Sequence, residues 1–471
     1  MIRPTIPRKR IRDFSPGLQD RTTDNIGTPI IHALNADFDQ RVGGIVGRKG
    51  SLVLTTPAGY RILNLFTYKY GATQKYIAVI DNTTNTVIYV SSTDFTGSWS
   101  SVKSLTTGKD VFLENFIGKM FYFNGVDTPQ HWDGTTLTNV TNAPAAGKFP
   151  FVLNQRLFVL TESGYLWYSD VVGSDGISFS STTWLNRGIN PNDGQKCTYA
   201  VRHRGRGILF KTESIYRYDG TNEPEAIITI GTHSWRSVVA QNARLYFHHP
   251  SGIYEMEVEP SLISRPVEKF LKGMSSSNWV NVASMKDQYN VYFWIGDVTI
   301  SDITAFDYGK SYTDVVLVFN VFSRRWTVFS GWNIRMGFYD DLTGDSFFGR
   351  VSGKIVKANT GYSDIDGATV TAIPMEIVFR PDNFDYPEKE KSVGQIFLSG
   401  RLQGLLSASD NCQNLDSDLA QVGNMEKGIA EICTGVQGKE IWVAYRESYA
   451  DTPPYIKELI FDKIDVFDEA K

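Results

Sequence analysis

Residues 118–136 read GKMFYFNGVDTPQHWDGTT, which is one strand, a polar turn, a second strand and another turn. Met120, Phe121, Tyr122 and Phe123 form a short aromatic run bounded by Asn124-Gly125, and Gln130-His131-Trp132 is closed by Asp133-Gly134. Asn-Gly and Asp-Gly pairs tolerate the positive φ of tight turns. Such a unit cannot bury both its faces alone, so its meaning depends on whether the chain repeats it.

The chain does repeat it. Related pairs of strands occupy residues 75–90 (KYIAVIDNTTNTVIYV), 155–170 (QRLFVLTESGYLWYSD), 206–220 (RGILFKTESIYRYDG) and 244–258 (RLYFHHPSGIYEMEV). Residues 290–329 hold two more runs around a longer polar loop, and residues 346–358 (SFFGRVSGKIVKA) supply a seventh copy. Successive copies start roughly 37 to 56 residues apart, near the period of a four-stranded propeller blade. Apolar segments able to supply an inner strand precede most copies, among them 111–113, 149–152 and 279–282. A parallel solenoid needs a shorter period, and a single sandwich is too small for some 300 residues. The expected fold is all-β: a six- or seven-bladed β-propeller over 51–361, an extended N-terminal arm and leading segment over 1–50, and a smaller C-terminal β domain over 362–471. Some strands of that last domain could instead complete the propeller. Within it, residues 416–432 have a mixed apolar spacing that allows a helix.

Composition agrees with that class. Of 471 residues, 41% are hydrophobic, 13% aromatic and 21% charged, and 41 Gly stand beside 23 Tyr and 28 Phe. Such a chain buries a large core in two or three packed bodies and favours strands and turns. The formal net charge of -4 excludes wholesale polyanion binding but leaves room for a local basic patch. The three cysteines, Cys197, Cys412 and Cys433, show neither a disulfide framework nor zinc spacing, which fits folding in a reducing compartment. Residues 1–15 carry charges but no apolar core segment, and no later run approaches the roughly 18 uninterrupted apolar residues of a spanning helix, so neither a secretion signal nor a membrane anchor is expected.

The chemistry-bearing residues give no recognisable active site, and no catalytic, metal or cofactor residue is assigned. His248 and His249 are adjacent, and neighbours on a strand point to opposite faces, which disfavours a shared metal. Asp364 and Asp366-Gly367 resemble half of a calcium loop, without the Glu that would complete it. The glycines of GGIVGRKG (43–50) lack the Gly-Lys-Ser/Thr of a phosphate loop and read as a turn. Arg324-Arg325-Trp326 and Arg202-His203-Arg204-Gly205-Arg206 could contact phosphates and bases, but basic residues at strand edges more often discourage aggregation. Residues 92–99 (STDFTGSW) are similar to the Asp-box turn of sialidase-like propellers, which stabilises a blade and is remote from catalysis. The basic cluster Arg3, Arg8, Lys9, Arg10 and Arg12 is either a solvated terminus or an arm that docks on a neighbouring subunit or on nucleic acid.

Taken together, Phe14-Ser-Pro-Gly-Leu18, Ala33-Leu-Asn35, Gly47-Arg-Lys-Gly50, Asn124-Gly125, Trp132-Asp133-Gly134, Gln155-Arg156-Leu-Phe158, Tyr168-Ser-Asp170, Phe348-Gly349, Ser352-Gly353-Lys354-Ile355 and Asp366-Gly367 resemble a family of propeller proteins at the tail or portal vertex of short-tailed bacteriophages. These are called tail nozzle, tail hub or packaged-DNA stabilisation proteins, and the likeness covers most of residues 14–370. It implies a structural virion protein, not an enzyme, assembled in the host cytoplasm into a cyclic ring of six copies. Its implied partners are adjacent tail, adaptor or portal proteins and the phage DNA that crosses the channel without sequence-specific binding. In that setting Arg3, Arg8, Lys9, Arg10 and Arg12 are expected to anchor the subunit to an acidic neighbour. The alternative is a glycan-binding or glycan-degrading propeller of a tail spike.

Overall fold

The computed structural model describes residues 5–6, 8–14, 16–18, 29–38, 43–54, 56–57, 59, 61–169, 187–303, 305–410, 421–422, 429–432 and 436–467. Their regular secondary structure is almost wholly β. Six of the seven stretches each supply the second and third strands of one four-stranded antiparallel meander, and 290–329 supplies the second, third and fourth. Meander 1 runs Arg61–Tyr70, Thr73–Asp81, Asn85–Ser91, Trp99–Thr106; meander 2 runs Phe112–Phe116, Lys119–Phe123, Gln130–Trp132, Leu137–Asn139. Meander 3 runs Gly147–Leu153, Arg156–Thr161, Tyr165–Tyr168, Arg187–Gly188; meander 4 runs Cys197–His203, Arg206–Lys211, Ile215–Tyr218, Glu225–Ile228. Meander 5 runs Val239–Gln241, Arg244–His249, Gly252–Met256, Pro260–Leu262; meander 6 runs Ala283–Lys286, Asn290–Thr299, Ser311–Asn320, Arg325–Phe329. Meander 7 runs Met336–Tyr339, Ser346–Gly349, Ile355–Lys357, and takes its fourth strand, Ser51–Val53, from the far N-terminal side of the chain.

The aromatic runs are explained by packing on both faces. Side chains alternate across a strand, and here each face meets another sheet, so a continuous apolar run replaces the alternation of a half-exposed strand. In meander 2, Met120 and Tyr122 pack with Leu63, Ile77 and Val79 of meander 1, while Phe121 and Phe123 pack with Leu157 and Val159 of meander 3. Phe158 points the other way, onto Leu209 of meander 4. The series continues through Phe210 with Phe247, then Tyr246 with Phe319, then Tyr292 with Phe348. It closes when Phe347 of meander 7 packs on Ile62, Leu65 and Ala78 of meander 1. Most neighbouring first strands of the meanders touch one another, and the last of them, Met336–Tyr339, touches the first, Arg61–Tyr70. The arrangement is that of a β-propeller.

The turns use the expected chemistry. The Asn124 side chain accepts from the backbone N–H of Val126 and Asp127 at 3.1 and 2.8 Å, and Asp133 accepts from Thr135 and Thr136 at 2.9 and 2.7 Å. Those two backbone donors hold the Asp133 carboxyl below the usual range.

The described strands of residues 1–50 are spread over two sheets. Thr5–Ile6 and Lys9–Ile11 pair with Tyr455–Phe467, Ile30–Leu34 joins meander 6 in parallel through Leu34 and Val328, and Ala36–Phe38 and Ile45–Gly47 extend the Tyr455–Phe467 sheet. Ile30–Leu34 then carries meander 6 outward through Ile373–Phe379, Trp442–Tyr449, Leu405–Ser409 and Gln421–Val422. Facing it is a sheet built on Glu390–Arg401 and Tyr455–Phe467. The two sheets share one core with meander 6, in which Phe14, Ile377, Leu398, Tyr445 and Phe461 are buried. The C-terminal strands are therefore joined to the propeller by a continuous sheet.

Three local expectations are corrected. Residues 279–282 are not an inner strand: the Ser276–Asn278 turn continues through backbone bonds of Asn281 and Val282 to Asn278, and the strand starts at Ala283. The 43–50 glycines are not simply a turn. Ile45–Gly47 is a strand, and Gly44 and Gly47 leave room for the rings of Tyr455 and Tyr449, which a Cβ would meet at 2.6 Å. Of the stretch 416–432, Ile429–Ile432 is a strand paired with Glu390–Arg401, while 416–420 and 423–428 lie outside the described residues.

Candidate functional site

A four-stranded meander returns the chain to the end from which it started, so every inner strand begins on the same face of the ring. Four charged side chains converge at that end. Asp110 precedes Phe112–Phe116, Arg236 precedes Val239–Gln241, Arg335 precedes Met336–Tyr339, and Arg61 opens its own strand. Arg236 donates to Asp110 Oδ1, and the indole Nε1 of Trp235 donates to Asp110 Oδ2 at 3.0 Å. The Arg236 guanidinium lies 4.6 Å from the Trp235 ring, and its side chain is only 4% exposed. Arg61 is paired with Asp81 at 2.9 Å. Arg335 donates to Asn281 Oδ1 at 3.0 Å, and no carboxylate pairs with it among the described residues. The Nε of both Arg236 and Arg335 is buried without a hydrogen-bond partner among those residues.

The electrostatics follow from this crowding. Burial, then the nearby charge of Arg236, brings Arg335 down to about 10, and burial likewise lowers Arg236. Burial pushes the Asp110 carboxyl up, but Arg236 and the Trp235 N–H outweigh it and leave it below the usual range. Behind these groups lies an axial cavity of about 190 Å³, lined by Arg236 and Trp235 and by Leu65, Met285, Met336 and Phe338. Deeper in the ring, burial pushes the Glu114 carboxyl up to about 8, and burial with Glu114 nearby pushes Tyr199 up to about 12.

A second concave region, of about 710 Å³, borders Arg48, Arg350, Lys354, Asp364 and Asp366. There Arg48 pairs with Asp364 at 2.7 Å and Lys354 with Asp366 at 2.7 Å, so Asp364 and Asp366 hold the fold together instead of half a calcium loop. A buried ionic knot joins the ring to the sheets beside it. Lys269 meets Asp307 at 3.1 Å with both side chains under 5% exposed, Tyr312 donates to Asp307 at 2.8 Å, and Lys310 and Arg446 each reach Glu376 at 2.9 Å. His32 sits between, 3.6 Å from Glu376 and 3.9 Å from Asp307.

The expected partner-binding cations are placed as follows. Arg8 pairs with Asp462, Lys9 with Asp382 at 2.7 Å and Arg12 with Glu458 at 2.8 Å, all within the chain; Arg10 is exposed, and Arg3 lies outside the described residues. Of the basic and aromatic groups noted in the sequence, Arg324 pairs with Glu255 and Arg204 with Glu257 at the surface, Arg202 and Arg206 are exposed, and the buried Trp326 indole donates to Ile263 O. Asp94 of the Asp-box-like stretch accepts from the Thr96 N–H at 2.7 Å and shapes the turn between the third and fourth strands of meander 1. His249 and His233 each contact Glu213 at 2.9 Å, whereas His248 is fully buried on the opposite face. No group of three or more His, Cys, Asp or Glu side chains is placed to hold a metal among the described residues. Cys197 is a buried thiol that burial pushes up to about 12; Cys412 and Cys433 lie outside the described residues. No described helix is long and apolar enough to cross a membrane.

The axial arginines were not foreseen. They come from connections far apart in the sequence, and their only shared signal is position just ahead of an inner strand.

No protein-family model matches the chain, and no curated protein matches it. Solved structures do. YCF48 bound to D1 peptide is 10% identical, covering 68% of this chain and 96% of that one, with a TM-score of 0.42. PorZ of the type-IX secretion system of Porphyromonas gingivalis is 12% identical over 68% of this chain and 39% of its own, also with a TM-score of 0.42. A chain of the Mitotic Checkpoint Complex is 10% identical over 68% and 94%, with the same TM-score. These are propeller-like proteins, and the likeness is one of fold.

Proposed function

We propose that the chain is a structural subunit of a short-tailed bacteriophage tail or head-completion ring, that its seven meanders are the blades of one closed propeller, and that six copies surround the axial DNA conduit. The phage assignment comes from the sequence resemblance, which spans the leading, blade and closing passages. The observation that shapes the mechanism is the axial cavity. At about 190 Å³ and lined by Trp235, Arg236, Met285 and Phe338, it is far too small for a duplex. A DNA conduit must then lie between copies, not through any one propeller, and a cyclic assembly with a heterologous interface provides it.

The fold suits that task. The continuous sheet from meander 6 and the Lys310–Glu376 pair tie ring and side sheets into one block. Copies of such a block can close a ring and retain packaged DNA mechanically, with no chemistry at the subunit. Arg8 and Arg12 pair with the chain's own C-terminal strand and Lys9 with Asp382, which leaves Arg10, among the described cations of the basic cluster, for an acidic neighbour.

The test is cryo-electron microscopy of the phage particle with this protein labelled. Axial density of sixfold symmetry, with each propeller axis offset from the particle axis, is the expected result. Trimeric labelling on peripheral spikes would overturn the reading and favour the glycan alternative.

A further inference from the structure

We infer that the concave region beside the second turn of meander 7 binds a singly charged sugar acid of the hexuronate class. That turn, the hairpin of Asp364–Asp366 with Thr369–Thr371, and Thr313 of meander 6 border it. Five charged side chains line it: Arg48, Arg350, Lys354, Asp364 and Asp366. Arg48 is engaged by Asp364, with Nη2 at 2.7 Å from Oδ2, and Lys354 by both oxygens of Asp366, at 2.8 and 2.7 Å. Arg350 is left over. Its guanidinium makes neither a hydrogen bond nor an ion pair among the described residues and rests 5.9 Å from the Phe348 ring. Asp314 attracts it from outside the lining, but Asp314 Oδ1 accepts from the Trp294 indole and Asn333 at 3.1 and 2.9 Å instead. A half-buried guanidinium without an acceptor is incomplete, and a carboxylate matches two of its donors at once.

The remaining lining selects the body that carries this carboxylate. The hydroxyls of Thr313, Thr369 and Thr371 are exposed along the region, and the Asp366 side chain is 44% exposed, so acceptors are offered to the hydroxyls of a polyol. Asp364 and Asp366 repel a second negative charge, which disfavours a phosphate dianion. A DNA backbone brings many charges past the same two carboxylates and supplies no donors to meet them. The volume, about 710 Å³, falls within the range of small-molecule sites and is ample for a sugar ring.

This inference does not rest on the phage assignment, since every group in it belongs to one chain. Calorimetric titration of the full chain with glucuronate and with its neutral amide, glucuronamide, at equal ionic strength tests it. Glucuronate should bind saturably, glucuronamide at least about tenfold more weakly, as the loss of a charged hydrogen-bonded pair implies. Neither inorganic phosphate nor a short oligothymidylate should displace the acid. Arg350→Gln should bring glucuronate down to the level of the amide, with Arg350→Lys intermediate. In parallel, crystals of the wild-type protein soaked in glucuronate should show its carboxylate on the Arg350 guanidinium, a readout that does not depend on any variant folding. No binding of glucuronate, equal binding of acid and amide, displacement by phosphate or oligothymidylate, or sugar density found only away from Arg350 would overturn the assignment.

Discussion

At the scale of single residues, two titratable groups shifted by desolvation set opposite pH limits. Glu114 lies on the first strand of meander 2, where burial raises its carboxyl to about 8; its backbone bond to Asn115 and the charge of Arg202 oppose that rise without cancelling it. Between about 4.5 and 8 the folded chain therefore holds a proton that the unfolded chain has released, and stability falls as pH rises through that window. Glu114→Gln removes the titration. Its melting temperature should exceed that of the wild type at pH 8.5 and converge with it near pH 5. His248 behaves conversely. It is fully buried with neither ring nitrogen bonded among the described residues, and burial, with His249 and His233 nearby, lowers it to about 3. The unfolded imidazole takes up a proton at about 6.5, so this contribution is intact above 6.5 and is lost as pH falls toward 3. His248→Leu should lose less stability than the wild type between pH 7 and pH 4 in denaturant titrations.

At the scale of elements, the hairpin copies were legible because each strand is buried on both faces, which writes a dense aromatic run between turn residues. Phe121 against Leu157 and Tyr122 against Leu63 are local consequences of that pattern. What the sequence did not disclose are pairings between distant segments. Ser51–Val53 completes meander 7 and Ile30–Leu34 extends meander 6, yet both are short, and nothing in a strand's own period names its partner. The glycine signal in GGIVGRKG was visible but ambiguous. Its meaning is close approach: a Cβ on Gly50 would sit 1.9 Å from the Ser363 carbonyl oxygen, where the chain passes into Asp364–Asp366. The obstacle is backbone and cannot rotate aside. Gly50→Ala should thus destabilise the fold by about 2 kcal/mol or more, as overpacked sites do, seen as a lowered denaturation midpoint with an unchanged slope.

At the scale of the whole molecule, propagation of rigidity and presentation of surface are separate problems. The first depends on the ionic knot, where Lys269 and Asp307 are both buried; removing one partner as in Lys269→Met strands the other charge and should cost about 3–5 kcal/mol. The second is addressed at the turn face of the ring. In an up-and-down meander the first and third turns share one end, and on meander 6 these carry Tyr289 and Phe322, which are 52% and 59% exposed with ring centroids 6.0 Å apart. Leu342, at the first turn of meander 7, is 73% exposed, and Val258, at the third turn of meander 5, is 59% exposed, at the same end. An exposed aromatic pair stabilises a lone subunit little, because it stays in water, but it is the kind of side chain that anchors an interface once covered. If the assembly proposed above uses this face, replacing Tyr289 and Phe322 together by Ser should leave the melting temperature within the small range typical of surface substitutions, about 0.5 kcal/mol. The same variant should fail to enter virions or to form rings in analytical ultracentrifugation. A variant that assembles normally would move the interface to another face, whereas a variant that unfolds would show that the pair supports the meander itself.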